Sequence, residues 1–311
     1  DALPIFDKRF KWQTDINWST NETTVASLVG GVDRLLMRNY FNVGVYAEAG
    51  EPFGNIRGNA QAKDPETGTP LVLPNGRVLF ESDQLLGNAQ PDWIGSLRNS
   101  FSYKGFSLNF LLDVKMGGDM YSATMIKAVN HGIHATTMEG RDEWLMSSII
   151  LGENNNERQG RGLFGNDYAD ADRVKGAIYE GAALGVQDAN GNWVAERDAN
   201  GEIVYSQRWL NPQLKGFDGL QNQSRHVYDA SFVKLREVVF GYTFPKSIIN
   251  QMKYIKNMKL SIVGRDLWTI YRNTPQGIDP EAATTTGNGQ GIEFGSFLPT
   301  RTIGFNLKLR F

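Results

Sequence analysis

The sequence predicts an all-β protein, an antiparallel transmembrane β-barrel segment with long loops at one end of its strands. Three observations carry this prediction. Apolar and polar residues alternate with a period of two through several separate stretches. Each stretch runs to about 9–13 residues, whereas strands of soluble domains are nearer 5–6 and a tilted membrane-spanning strand needs about 9–11. The connections are very short at one end and very long at the other. That asymmetry belongs to outer-membrane barrels, whose short turns face the periplasm.

The first stretch puts Phe10, Trp12, Thr14, Ile16 and Trp18 on one face and Lys11, Gln13, Asp15 and Asn17 on the other. Trp93 to Tyr103 sets Trp93, Leu97, Phe101 and Tyr103 against Arg98, Ser100 and Ser102. Phe106 to Lys115 alternates likewise, and Lys104-Gly105 between these two reads as a two-residue hairpin turn. From Phe232 to Phe244 the phase slips at Arg236-Glu237, which predicts a bulge. Met258, Leu260 and Ile262 alternate with Lys259 and Ser261 and continue toward Arg265 and Trp268. The last stretch sets Ile303, Phe305, Leu307, Leu309 and Phe311 against Gly304, Asn306, Lys308 and Arg310.

The short connections are Asp7-Lys8, Lys104-Gly105 and the compact 244–257 segment with a helical run from Ser247 to Tyr254. The long ones are 19–91, 116–227 and 272–299, expected to be extracellular. The strand directions close consistently and leave the C-terminus in the periplasm. Polar strand faces then line a lumen, and the scattered tryptophans serve as interfacial anchors in the outer-membrane lipid.

Composition narrows the function. The 311 residues include no cysteine, which excludes disulfide scaffolds, thiolate metal sites and cysteine nucleophiles. With 32 basic and 34 acidic residues there is no electrostatic case for nucleic acid. No stretch reaches the roughly 18 apolar residues of a membrane-spanning helix. The start at Asp1, without a methionine or a signal segment, reads as a processed form or a piece of a longer chain.

Candidate chemistry is sparse. His131 and His134 have zinc-like spacing, with Glu139 nearby, but a glycine-containing loop is the better reading. Asp188-Ala189-Asn190-Gly191-Asn192 and Asp198-Ala199-Asn200-Gly201-Glu202 resemble calcium loops yet lack a full ligand set, and read as hairpin turns. Asp167, Asp170 and Asp172 read as a solvated loop. Trp144 lies on a helix-like run from Arg141 to Ile150 and belongs to a local core. Tyr168 and Tyr179 are further loop aromatics; Tyr121, Trp193 and Trp209 are the candidates for substrate contact. No catalytic motif appears, so neither an enzyme nor a cofactor or metal is expected.

Several blocks together resemble the SusC/RagA-type TonB-dependent transporters. They are Val227-Tyr228-Asp229-Ala230-Ser231-Phe232-Val233-Lys234-Leu235-Arg236-Glu237 with Phe240-Gly241-Tyr242 and Pro245, then Gly264-Arg265-Asp266-Leu267-Trp268-Thr269. Gly277-Ile278-Asp279-Pro280-Glu281 and Pro299-Thr300-Arg301 follow. Upstream stand Glu48-Ala49-Gly50-Glu51-Pro52-Phe53-Gly54, Gly87-Asn88-Ala89-Gln90-Pro91 and Gly117-Gly118-Asp119. Many members carry Asn where this chain has Asp266.

The resemblance implies the C-terminal strands of a roughly 22-stranded barrel, with the plug domain and TonB box absent from residues 1–311. It implies energised import of a glycan or peptide across the outer membrane of a Gram-negative bacterium. The partners implied are a SusD-like surface lipoprotein and the TonB–ExbB–ExbD motor. The barrel-assembly machinery would read the closing strand: Ile303, Phe305, Leu307, Leu309 and Phe311. The alternatives are a passive porin or adhesin barrel and a soluble secreted carbohydrate-binding β-sandwich.

Overall fold

A computed structural model of the chain describes residues 10–150, 178–207, 209–210, 212, 221–283 and 287–311. In chain order the strands begin with β1 (Lys11–Ser19), β2 (Arg34–Tyr40), β3 (Val43–Glu48), β4 (Asn55–Gln61), β5 (Leu71–Val72) and β6 (Phe80–Asn88). Next come β7 (Trp93–Tyr103), β8 (Phe106–Met116), β9 (Asp119–Ser122) and the helices α1 (Ala123–Asn130) and α2 (Arg141–Ile150). Then follow β10 (Ala183–Gln187), β11 (Trp193–Ala195), β12 (Val227–Asp229), β13 (Phe232–Thr243) and a short helix α3 (Lys246–Ile249). The chain ends with β14 (Asn257–Arg272), β15 (Ile292–Glu293) and β16 (Thr302–Arg310).

The six long strands form one sheet in the order β1-β7-β8-β13-β14-β16, antiparallel throughout. Register shows why the alternation matters. One row across all six strands reads Trp12, Phe101, Leu108, Phe240, Ile262, Phe305. Another, on the opposite face, reads Asp15, Arg98, Leu111, Glu237, Arg265, Thr302. Successive side chains in a strand point to opposite faces, so one face is apolar and the other carries charges of alternating sign. Trp12, Leu108, Phe240, Ile262 and Phe305 are exposed. Among the described residues no second sheet covers this apolar face, as a sandwich would require.

Thr14 and Asn99 are polar residues on the apolar face, and Asn99 is the buried one. It is only 7% exposed, and its side-chain oxygen accepts from Trp12 Nε1 at 2.8 Å and Thr14 Oγ1 at 2.7 Å. An unpaired carbonyl facing hydrocarbon would cost several kcal/mol. Here two neighbours on β1 satisfy it.

Lys104 and Gly105 both have positive φ, 47° and 87°, which is the turn that matches strand twist in a two-residue hairpin. The bulge falls where the phase slips: the register of β13 shifts between Leu235 and Glu237 against both neighbours. Asp266 lies within the corresponding stretch of β14 at φ 49°, a conformation that Asp and Asn accept better than most residues. The helical run after Pro245 is shorter than its sequence pattern. α3 ends at Ile249, and i→i−3 bonds from Gln251 and Met252 extend the turn only to Met252.

The long connections differ most from expectation. Beyond the hairpins and the helical run read there, they hold a four-stranded sheet β2-β3-β4-β6 and two three-stranded sheets, β11-β10-β5 and β12-β9-β15. Val43, Val45, Ile56, Tyr121, Ala123, Ile126 and Ile292 form a fully buried core there. The turns at Asn190-Gly191 and Asn200-Gly201 are hairpin turns: Gly191 and Gly201 have φ of 85° and 83°. Asp188 Oδ1 accepts backbone N–H groups of Asn190 and Asn192, and Asp198 does the same for Asn200 and Glu202. The expected turn at Asp7-Lys8 and the cluster at Asp167, Asp170 and Asp172 lie outside the described residues, as does Tyr168.

Candidate functional site: the polar wall and the loop sheets above it

All long connections leave the six-stranded sheet at one end, so the polar face and the loop sheets meet along one rim. Just below the rim a groove is lined by Asp15, Asn17, Ser96, Arg98, Leu111, Asp113 and Arg236. Arg236 is already committed there. Its Nε donates to Asp113 at 2.9 Å, Nη1 to Asp266 at 3.3 Å and Nη2 to Glu281.

Lys234, two residues earlier, is 4% exposed, and its ammonium donates to both oxygens of Asp279 at 2.8 and 2.9 Å and to Glu281. The two cations therefore clasp the 277–281 segment onto the end of β13. Burial pushes the Glu281 carboxyl up, but hydrogen bonds from Arg236 and Lys234 outweigh it and hold the group below the usual carboxylate range. Ile278 completes the clasp by packing with Met120, Met125 and Ala230.

The other sequence blocks converge on the same rim. Burial raises the Asp229 carboxyl, yet bonds from Ser231 and Asn273 pull it below its ordinary value. Ser231 Oγ in turn accepts from Gly117 N at 2.8 Å. Gly118, at φ 76°, passes so near Ala89 O that a Cβ there would sit 3.1 Å away. Asp119 accepts from Asn88 N at 2.9 Å; burial raises its carboxyl against that bond, with Asp229 and Asp92 adding to the rise. Asn88 also reaches Asn55 at 2.9 Å, and Asn55 and Arg57 both donate to Glu48. Blocks far apart in sequence thus form one polar network between wall and loop sheets.

The three aromatic candidates are not brought together. Tyr121 has no exposed surface and fills the loop core, where burial raises its hydroxyl. A ring without exposed surface packs; it offers no face to a ligand. Trp193 is half-buried against the cluster of Ala62, Leu71 and Ala183, and Trp209 is half-buried elsewhere. Trp144 lies on α2, matching the helical run read from its spacing. His134 caps a short turn, accepting from Thr136 N, and His131 ends α1. His226 is buried and held down to about 4 by burial, then by Arg225 and His134. Sequence reasoning missed the Lys234–Arg236 clasp, although their spacing of two on one strand put both on record as neighbours.

No family profile matches the chain. Two curated proteins of Formosa agariphila do: TonB-dependent receptor P3, 22% identical over 99% of this chain, and TonB-dependent receptor P39, 22% identical over 90% of it. Three solved structures share the fold. Those of the RagAB peptide importer in the open-open and closed-closed states have TM-scores of 0.53 and 0.51, with identities of 13% and 15%. They cover 98% and 97% of this chain. A further RagAB peptide transporter structure has a TM-score of 0.50, 16% identity and 96% coverage. The curated relatives of this chain are TonB-dependent receptors, and its fold is shared with the RagAB transporter structures. The chain spans 27% and 26% of the length of the two curated relatives, and 27–28% of the solved chains. The six-stranded sheet accordingly shares the fold of a portion of those β-barrels.

Proposed function

We propose that these residues form part of the wall and mouth of a TonB-dependent importer in the outer membrane, carrying a glycan or a peptide inward without covalent chemistry. The observation that carries this reading is the six-strand row pair: an apolar exterior, a charged interior, and every long connection at one rim. The likeness to TonB-dependent receptors along nearly the whole chain supports it. In this reading 19–91, 116–227 and 272–299 are extracellular, and the C-terminus is periplasmic. Binding at the mouth is followed by movement of a plug, driven by TonB–ExbB–ExbD. A SusD-like surface lipoprotein covers the mouth.

These are the C-terminal strands of the barrel, and the exposed face of Ile303, Phe305, Leu307 and Phe311, with half-buried Leu309, is the signal for the barrel-assembly machinery. Deleting Phe311 from the full-length protein should lower its surface abundance; unchanged abundance contradicts that role. The import reading is tested in the native organism by uptake of a labelled nutrient whose entry requires this gene. Deleting TonB should abolish that uptake. Uptake that needs this gene but survives loss of TonB identifies a passive pore instead.

A further inference from the structure

The hairpin joining β2 to β3 turns on Phe41 and Asn42, both left-handed, with φ of 46° and 60°. Asparagine accepts that conformation, but a bulky aromatic residue rarely does. Here the strained backbone presents the Phe41 ring at the tip of the hairpin. It meets Tyr40 edge-on, with centroids 4.5 Å apart, and Tyr40 lies 4.8 Å from Phe294, which follows β15. Three rings from two distant segments therefore converge, and Phe41 and Phe294 are each 43% exposed.

Lys127 of α1 places its ammonium 3.9 Å from the centroid of Phe41. Among the described residues no carboxylate pairs with it. Glu293, next to Phe294, is 2% exposed and turned into the fold, accepting from Ser122 Oγ at 2.7 Å and Thr124 Oγ1 at 2.6 Å. The cluster thus offers partly exposed rings and one cation, which lies over Phe41 and has no carboxylate partner among the described residues.

We propose that Tyr40, Phe41, Phe294 and Lys127 form a binding site for an acidic saccharide. One sugar ring lies on the exposed aromatic faces, and its carboxylate reaches the Lys127 ammonium. The flat C–H face of a pyranose suits the exposed ring surface, and the Lys127 cation, with no carboxylate partner among the described residues, selects the carboxylated sugar. The proposal rests on the import reading and names the cargo class for it.

The test is calorimetric binding to the full-length protein in detergent, with tetragalacturonate, maltotetraose and tetraglutamate as probes. Phe41→Gly removes the ring where the left-handed backbone favours glycine, so the hairpin is not put at risk. It should weaken tetragalacturonate binding about tenfold or more. Lys127→Gln should weaken tetragalacturonate about fivefold and leave the weaker maltotetraose binding unchanged. The proposal is overturned if tetragalacturonate does not bind or binds equally to both variants, or if tetraglutamate shows the same dependence. Equilibrium binding needs no TonB, so these failures leave the import reading standing. Uptake that survives loss of TonB would fail that reading alone.

Discussion

The six-stranded wall and the loop sheets above it are both β-structure, yet different forces specify them. The wall is held by pairing with neighbouring strands: one face is mainly apolar and the other mainly polar, and among the described residues no second layer covers the apolar face. The loop sheets bury short strands on both faces, and ion pairs and buried amides tie them to the wall. The comparison teaches that a wall segment tolerates change by face, whereas the rim tolerates it by partner.

The largest expected effect is therefore at the rim. Lys234→Ala leaves Asp279 buried without its cation, which should cost about 3–5 kcal/mol of local stability. It is measured as faster hydrogen exchange or proteolysis within 273–283 while the wall stays folded. Lys234→Met combined with Asp279→Leu should recover most of the loss, because an apolar pair needs no solvation. If the single change leaves exchange unaltered, the clasp does not hold the segment.

Next comes a contrast between faces. Phe240→Arg puts a charge on the lipid side and should cost about 2–4 kcal/mol, whereas Leu111→Arg on the interior row should cost far less. Unfolding in lipid vesicles compares the two. Equal costs would remove the distinction between exterior and interior.

The smallest effect is that of acid on the rim. The folded value of His226 is depressed to about 4 from 6.5, so the unfolded chain binds the proton first as pH falls. Its contribution is full above about 6.5 and is lost as pH drops toward 4, up to about 3 kcal/mol for such a shift. Glu281 is depressed as well, from 4.5, so the clasp adds a further loss below that value. Hydrogen-exchange protection factors, which remove the intrinsic slowing of exchange in acid, should fall in the loop sheets between pH 6.5 and 4 while those of the wall strands stay the same. His226→Phe should remove the upper part of that dependence.

How much of this was legible in the sequence follows the same division. β7 runs over Trp93–Tyr103, the stretch its alternation marks, and the Lys104-Gly105 turn and the slip at Arg236 fall where they were read. Long half-buried strands advertise themselves by period two. Val43, Val45 and Ile56 lie in short strands buried on both faces, so no alternation distinguishes them from loop. Tyr121 is a candidate ligand contact as an aromatic residue in a long loop, but its ring fills the loop core, a placement set by residues distant in sequence. The clasp was hidden for another reason: Lys234 finds its partner 45 residues away, a distance that no local pattern encodes.

The central claim is that neighbouring residues of β14 face lipid and lumen in turn. These 311 residues hold no cysteine, so once any cysteine elsewhere in the full-length protein is replaced, Ile262→Cys and Ser261→Cys can each carry one spin label in bilayers. The account predicts that the label at 262 relaxes with oxygen dissolved in the lipid and ignores a water-soluble nickel complex, while the label at 261 does the reverse. A nickel response at both positions, or oxygen at both, would contradict it.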